Sequence, residues 1–214
     1  MRKHTSMAAA LVTMGLFLTG WAGVPSAAQG QKSTVEQIRK ELLQLPYYGV
    51  FDFLAFSYEQ GTVTLMGFAY RPTLKGDAAR AVKRVPGVDS VVDKIEELPV
   101  SPSDDDIRWK AYYKIYGDPF LSRYHPGGGM LWGHNHPFGG GFHRMGPSAF
   151  PGFEPAGDYP IHIVVKNGRI ALYGVVDSEA DKNVAGIRAH EVSGAFGVEN
   201  FLVVENNTKQ STKR

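Results

Sequence analysis

One stretch of this chain repeats another at a constant spacing of 107 residues. Gly61-Thr-Val-Thr-Leu-Met-Gly67 is matched by Gly168-Arg-Ile-Ala-Leu-Tyr-Gly174. Val85-Pro-Gly87 with Val91 is matched by Val192-Ser-Gly194 with Val198, and Lys75 with Lys182 and Ala78 with Ala185 keep the same spacing. An ungapped register held across both glycine signatures is the mark of a duplicated unit. Whatever fold is assigned to one copy must therefore serve both.

Each copy reads in the same order. In the first, Ser33 with Glu36 is a capping-box signature before a helix whose apolar positions are Val35, Ile38, Leu42 and Leu45, with Pro46 ending it. Val50 to Tyr58 reads as a strand, Gly61 turns the chain into Thr62 to Phe68, a helix follows from Thr73 to Arg84, and Val88 to Leu98 is the last strand. In the second, Ser103 with Asp106 caps a helix through Ile107, Ala111 and Ile115 that stops at Gly117. Ile161 to Lys166 and Arg169 to Val175 flank Asn167-Gly168, a strong hairpin signal. Ser178 with Asp181 opens a helix to Glu191, and Val198 to Val204 closes the copy. The expected fold class is α+β: two small αββαβ modules, each a three-stranded mixed sheet with two helices on one face. The modules span 33–98 and 103–205, joined by a short linker, 99–102. A module of roughly 70 residues is marginal alone, so the two are expected to pack together.

The N-terminal segment is of another kind. Arg2 and Lys3 precede an apolar run from Met7 to Gly23, and the small residues Ser26, Ala27 and Ala28 follow it. This is the pattern of a secretory signal peptide, 1–28, cut after Ala28. The alternative, an uncleaved anchor, suits the run less well. Thr13, Gly15, Thr19 and Gly20 interrupt it, and it falls short of the roughly 20 residues that a span prefers. The 214-residue chain has 23 Lys and Arg against 21 Asp and Glu, and the leader holds two of the cations and none of the acids. The exported part is thus balanced in charge and shows no footprint for nucleic acid. With no cysteine in the chain, thiol chemistry, thiolate metal sites and disulfides are all excluded.

The copies differ in one respect. Their first helices align at a spacing of 69, as Ile38 with Ile107, so the second copy has gained 38 residues between its first helix and first strand. This insertion, 118–159, is rich in glycine and aromatics and contains His125, His134, His136 and His143. His134-Asn-His136 could centre a metal site. However, no acid or thiol lies beside these histidines, and ordering them on glycine is costly, so no metal or cofactor is assigned. Trp132, Phe138 and Phe142 suit a membrane interface or a cover over the sheet equally well. His162, alternating with Ile161 and Ile163, is expected at the surface, and Asp104-Asp105-Asp106 is expected to serve a helix N-terminus. Lys75, Arg80, Lys83, Arg84 and Lys94 make the first module's later half basic, as a solvated face or a contact for anionic lipid. The tail, 206–214, is polar, basic and expected to be disordered.

These residues resemble the bacterial osmotic-shock and nodulation (BON) domain family, in a double-BON arrangement. The G-x-V-x-L-x-G edge is present as Gly61 to Gly67 and, with Ile170 in the valine place, as Gly168 to Gly174. The strand pattern G-V-x-x-V-x-N-x-L appears as Gly87-Val88-Asp-Ser-Val91-Val-Asp93-Lys-Ile95 and Gly194-Ala195-Phe-Gly-Val198-Glu-Asn200-Phe-Leu202. Asp93 and Ala195 depart from it, as does the insertion. The resemblance implies a periplasmic or secreted, non-enzymatic binding module with no catalytic residues to carry over. It further implies association with envelope phospholipid or other envelope components, in envelope maintenance or stress. The alternatives are a structural or protein-interaction subunit of an envelope assembly, or weak metal binding by the insertion.

Overall fold

The computed structural model describes residues 27–126 and 159–205. The first module contains α1 (Ala27–Leu43), β1 (Phe53–Glu59), β2 (Thr62–Ala69), α2 (Pro72–Lys83) and β3 (Ser90–Glu97). Its central strand β2 runs antiparallel to β1 and parallel to β3. The second contains α3 (Pro102–Tyr116), β4 (Ile161–Lys166), β5 (Arg169–Val176), α4 (Glu179–His190), β6 (Gly197–Asn200) and β7 (Val203–Val204). Here β5 lies between antiparallel β4 and parallel β6, and β7 also pairs with β5. The expected αββαβ order and mixed sheets are present in both. Alternation on β2 sends Val63 and Leu65 into a core with Ile38 and Leu42 of α1 and Leu74, Ala78 and Val82 of α2. The same alternation turns Thr64 and Met66 to the other face.

The duplication extends to backbone conformation. Gln60-Gly61 and Asn167-Gly168, both with positive φ at each residue, make the same hairpin turn in the two copies. Gly67 and Gly174 also share a left-handed φ, +120° and +126°. A Cβ there would lie 2.0 Å from the carbonyl oxygen of Phe53 or of Pro160 on the neighbouring strand. The second glycine of each signature is therefore demanded by close backbone approach.

Four boundaries differ from expectation. Helix α1 begins at Ala27, placing Ser33 inside it rather than at its cap, because the preceding residues can themselves be helical. Cleavage after Ala28 would remove only two residues of this helix. Helix α3 is capped by Ser101, whose Oγ accepts from Asp104 N at 3.2 Å with Pro102 in the first turn, and not by Ser103. Asp104 is then free to accept from Asn167 N (2.9 Å) and Gly168 N (2.7 Å), pinning the second hairpin to α3. The last strand of the second copy is split at Phe201-Leu202 into β6 and β7. Finally, β1 starts at Phe53 and not at Val50, since the residues before it cross to the other module.

That crossing joins the two halves. Val50 and Phe51 belong to the first copy, yet they are buried in the second module's core with Ile107, Ala111 and Ile163. The amide of Ile163 donates to Val50 O at 2.7 Å, and the Phe51 ring meets Trp109 and Tyr112 edge-on. Buried Asp52 holds the strap in shape, accepting from Gly49 N and Tyr70 N. Phe53 stacks on Tyr173 at 4.4 Å between centroids, and Lys166 pairs with Glu96.

A smaller difference explains one departure from the strand pattern. Asn200 donates to Lys182 O and accepts from Leu202 N, tying β6 to α4. A Cβ on Gly186 would lie 2.9 Å from the Asn200 amide nitrogen. The first copy has Ala79 at that helical place, and Asp93 there makes only the bond from Ile95 N. Asn200→Asp is expected to lower stability in urea by about 1 kcal/mol, whereas Asp93→Asn gains nothing. Phe51→Ala is expected to cost about 3–5 kcal/mol and to strip hydrogen-exchange protection from β4, although the residue lies in the first module.

Candidate functional site

A groove of about 490 Å³ opens where the two modules meet. That volume falls within the roughly 300–1,000 Å³ of ordinary ligand sites. One wall is a face of α1, with Val35, Arg39 and Leu43 one turn apart, and another is the outer edge of β1 from Leu54 to Tyr58. Tyr48, Tyr159 and His162 close one side. Arg39 is the only permanently charged side chain in the lining. It is exposed, and among the described residues no acid pairs with it.

The repeat makes this arginine informative. At the helix spacing of 69 residues, Arg39 corresponds to Arg108 and Leu43 to Tyr112. Arg108 is 1 % exposed, pairs with Asp105, donates to Val165 O at 2.6 Å and lies 4.7 Å over the Tyr70 ring. The first module thus presents openly a position that the second module buries.

A second surface lies on the sheet faces that carry no helices. Beside Tyr173, whose ring stacks on Phe201, Val175 (50 % exposed), Phe201 (49 %) and Val203 (62 %) form an apolar row. The described chain ends at Glu205, next to this row, and residues 206–214 contribute Lys209, Lys213, Arg214 and no acid.

Of the histidines considered from sequence, His125 packs among Tyr112, Tyr116 and Tyr159, with its Nε2 3.0 Å from Tyr112 Oη. Its ring centroid is 5.9 Å from that of Tyr159, so the ends of the insertion meet at its base. Burial lowers the pKa of His125 and raises that of Tyr112. His134, His136 and His143 lie outside the described residues, as do Trp132, Phe138 and Phe142. No cluster able to hold a metal is found among the described residues.

His162 is not at the surface. It is 6 % exposed, with Nδ1 3.2 Å from Gly49 O and Nε2 3.3 Å from Tyr48 Oη. The other module covers the sheet face onto which alternation directs it. Asp104 serves the hairpin, while Asp105 pairs with Arg108 and Asp106 with Lys110. In the basic half of the first module, Arg80 pairs with Asp77 and Lys83 bonds Asp89 O. Arg39, Tyr48 and Phe51 were missed as functional residues. Comparing the two first helices at their spacing of 69 would have exposed the arginine pair.

His125 titration should be visible in stability. Its folded pKa lies below the unfolded value near 6.5, so its contribution is full above that pH and is lost as pH falls below it toward the folded pKa. His125→Phe is expected to flatten the decline in urea midpoint between about pH 7 and 5.

A family model described as "BON domain" matches residues 33–99 and 155–206. No curated protein matches the chain. Among solved structures, the chain is 13 % identical to CdsD, a structural protein of the type III secretion system of Chlamydia trachomatis, covering 80 % of this chain and 92 % of that one at a TM-score of 0.25. A structure of the CdsD C-terminal domain gives 13 % identity, 80 % and 97 % coverage, and a TM-score of 0.24. Overlap this loose carries no argument about shape or role. Among the described residues, no helix is long and apolar enough to cross a membrane.

Proposed function

Because the chain belongs to the BON-domain family, by matches spanning more than half its length, we propose that it is an exported, non-enzymatic module that docks on envelope phospholipid. The observation that carries this reading is the apolar row Val175–Phe201–Val203 followed at once by a tail with three cations. Apolar side chains entering the acyl boundary and cations near anionic head groups reinforce one another in peripheral binding. Each cation contributes up to about 1 kcal/mol near a charged surface, and the contribution fades with salt. The buried charges have structural partners: Asp104 the hairpin, Asp52 the strap, Asp118 the Arg188 guanidinium. This pattern fits a scaffold rather than a reaction centre. The leader pattern at 1–28 supports periplasmic or secreted placement, and the family resemblance implies a part in envelope maintenance or stress.

Co-sedimentation of the exported protein with vesicles containing an anionic phospholipid tests the reading. Binding is expected at low ionic strength and should fade as salt rises. Removing 206–214 should weaken it roughly tenfold to a hundredfold, and Val203→Asp should weaken it without unfolding the protein. Failure of the unaltered protein to sediment at low salt would reject the proposal.

A further inference from the structure

The groove shares only Val175 with the apolar row, Phe201 and Val203 lying outside its lining, and the duplication indicates what it holds. We infer that it is a slot for an extended peptide segment of another envelope protein, laid along the outer edge of β1 with an acidic group on Arg39.

The second module shows the same place filled. There the strap Val50–Phe51 lies along the outer edge of β4, bonded through Ile163 N, with Phe51 against Tyr112 and Tyr70 beneath Arg108. The counterparts of Ile163, Tyr112 and Arg108 are Phe56, Leu43 and Arg39, and all three line the open groove. Of the other outward-facing residues of β4, Ile161 exchanges bonds with Tyr116 Oη and Val165 O accepts from Arg108. Helix α1 ends at Leu43, the counterpart of Tyr112, so Tyr47, the counterpart of Tyr116, lies beyond the helix and is exposed. Among the described residues, no backbone bond reaches the outer edge of β1 between Leu54 and Tyr58.

A row of unpaired strand groups flanked by apolar walls favours strand addition, in which main-chain bonds hold the ligand and alternate side chains fill pockets. An acyl chain is a poorer occupant: it would exclude water from those amides and carbonyls without bonding them. Arg39, unpaired with any described acid and flanked by Val35 and Leu43, adds a charge-assisted contact for a carboxylate. The strap itself illustrates the apolar part of the ligand, Val50 and Phe51, while the carboxylate on Arg108 comes from Asp105 of its own helix.

A synthetic peptide of the strap sequence, Tyr-Gly-Val-Phe-Asp, titrated into the full exported chain and followed by backbone amide shifts, tests the inference. Saturable shifts at Leu54 and Phe56 are expected. Arg39→Glu should weaken binding about tenfold or more, and Arg39→Lys about threefold or less. Val203→Asp should leave it unchanged, so that failure here and failure of membrane docking are separately read. Absence of shifts at β1 with millimolar peptide would overturn the slot. Shifts confined to Ile163, meaning exchange with the existing strap, would do the same. A single-chain anionic detergent that saturates the groove where the peptide does not would reassign it to lipid. The ends of the insertion meet, so 127–158 can be replaced by a short glycine linker. Peptide binding that appears only in that variant would assign the groove to the chain's own insertion and overturn the partner.

Discussion

The insertion of Val50 and Phe51 into the second module's core is the contact from which the rest of the arrangement follows. A module of this size buries little apolar area for the chain entropy it must lose, and the second one gains two large side chains from outside. Their burial requires the preceding helix to stop at Leu43 and the chain to turn through Tyr47, which adopts a left-handed φ of +67° despite its side chain. It also requires Asp52 to accept from the amide of Gly49 within the crossing segment and from that of Tyr70, just after β2. The sheets are consequently brought together, with buried His162 and the Phe53–Tyr173 stack at their contact.

The same contact breaks the equivalence of two modules whose local sequences are closely matched. The strap seals the β4 edge, and among the described residues no comparable segment lies on the β1 edge. Arg108 becomes a buried residue with an acid, a carbonyl and an aromatic ring around it, while Arg39 faces a groove. Among the described residues, duplication thus presents one copy of the place filled and the other open. The membrane-facing character proposed for the Val175–Phe201–Val203 row has a separate origin: at the split of the last strand Phe201 keeps its backbone bond to Leu172 O while its side chain stays half exposed.

Much of this was readable before any coordinates. Hairpins at Gln60-Gly61 and Asn167-Gly168, the Ser178 cap and the glycines opposite Phe53 and Pro160 are local requirements, set by backbone sterics within a few residues. The candidate site was far less legible. His162 was expected outside because alternation specifies a face, and nothing local shows whether another module covers that face. Val50 and Phe51 were assigned to a strand because their apolar, β-favouring character is equally suited to a core in another module. The caps at Ser33 and Ser103 were misplaced because competing serines, or a helix beginning further upstream, satisfy the same pattern.

Sequence alone determined the duplication, the αββαβ order of each copy and the glycine positions, because each is set by short-range periodicity and by steric exclusion that the residues themselves carry. Only the tertiary structure decided which arginine of the pair is buried, where His162 and Phe51 lie, and which strand edge remains open. These depend on contacts between residues some 110 apart in the chain, such as Tyr48 with His162 and Val50 with Ile163. Such pairings are selected by the packing of two finished sheets, and no local pattern encodes them.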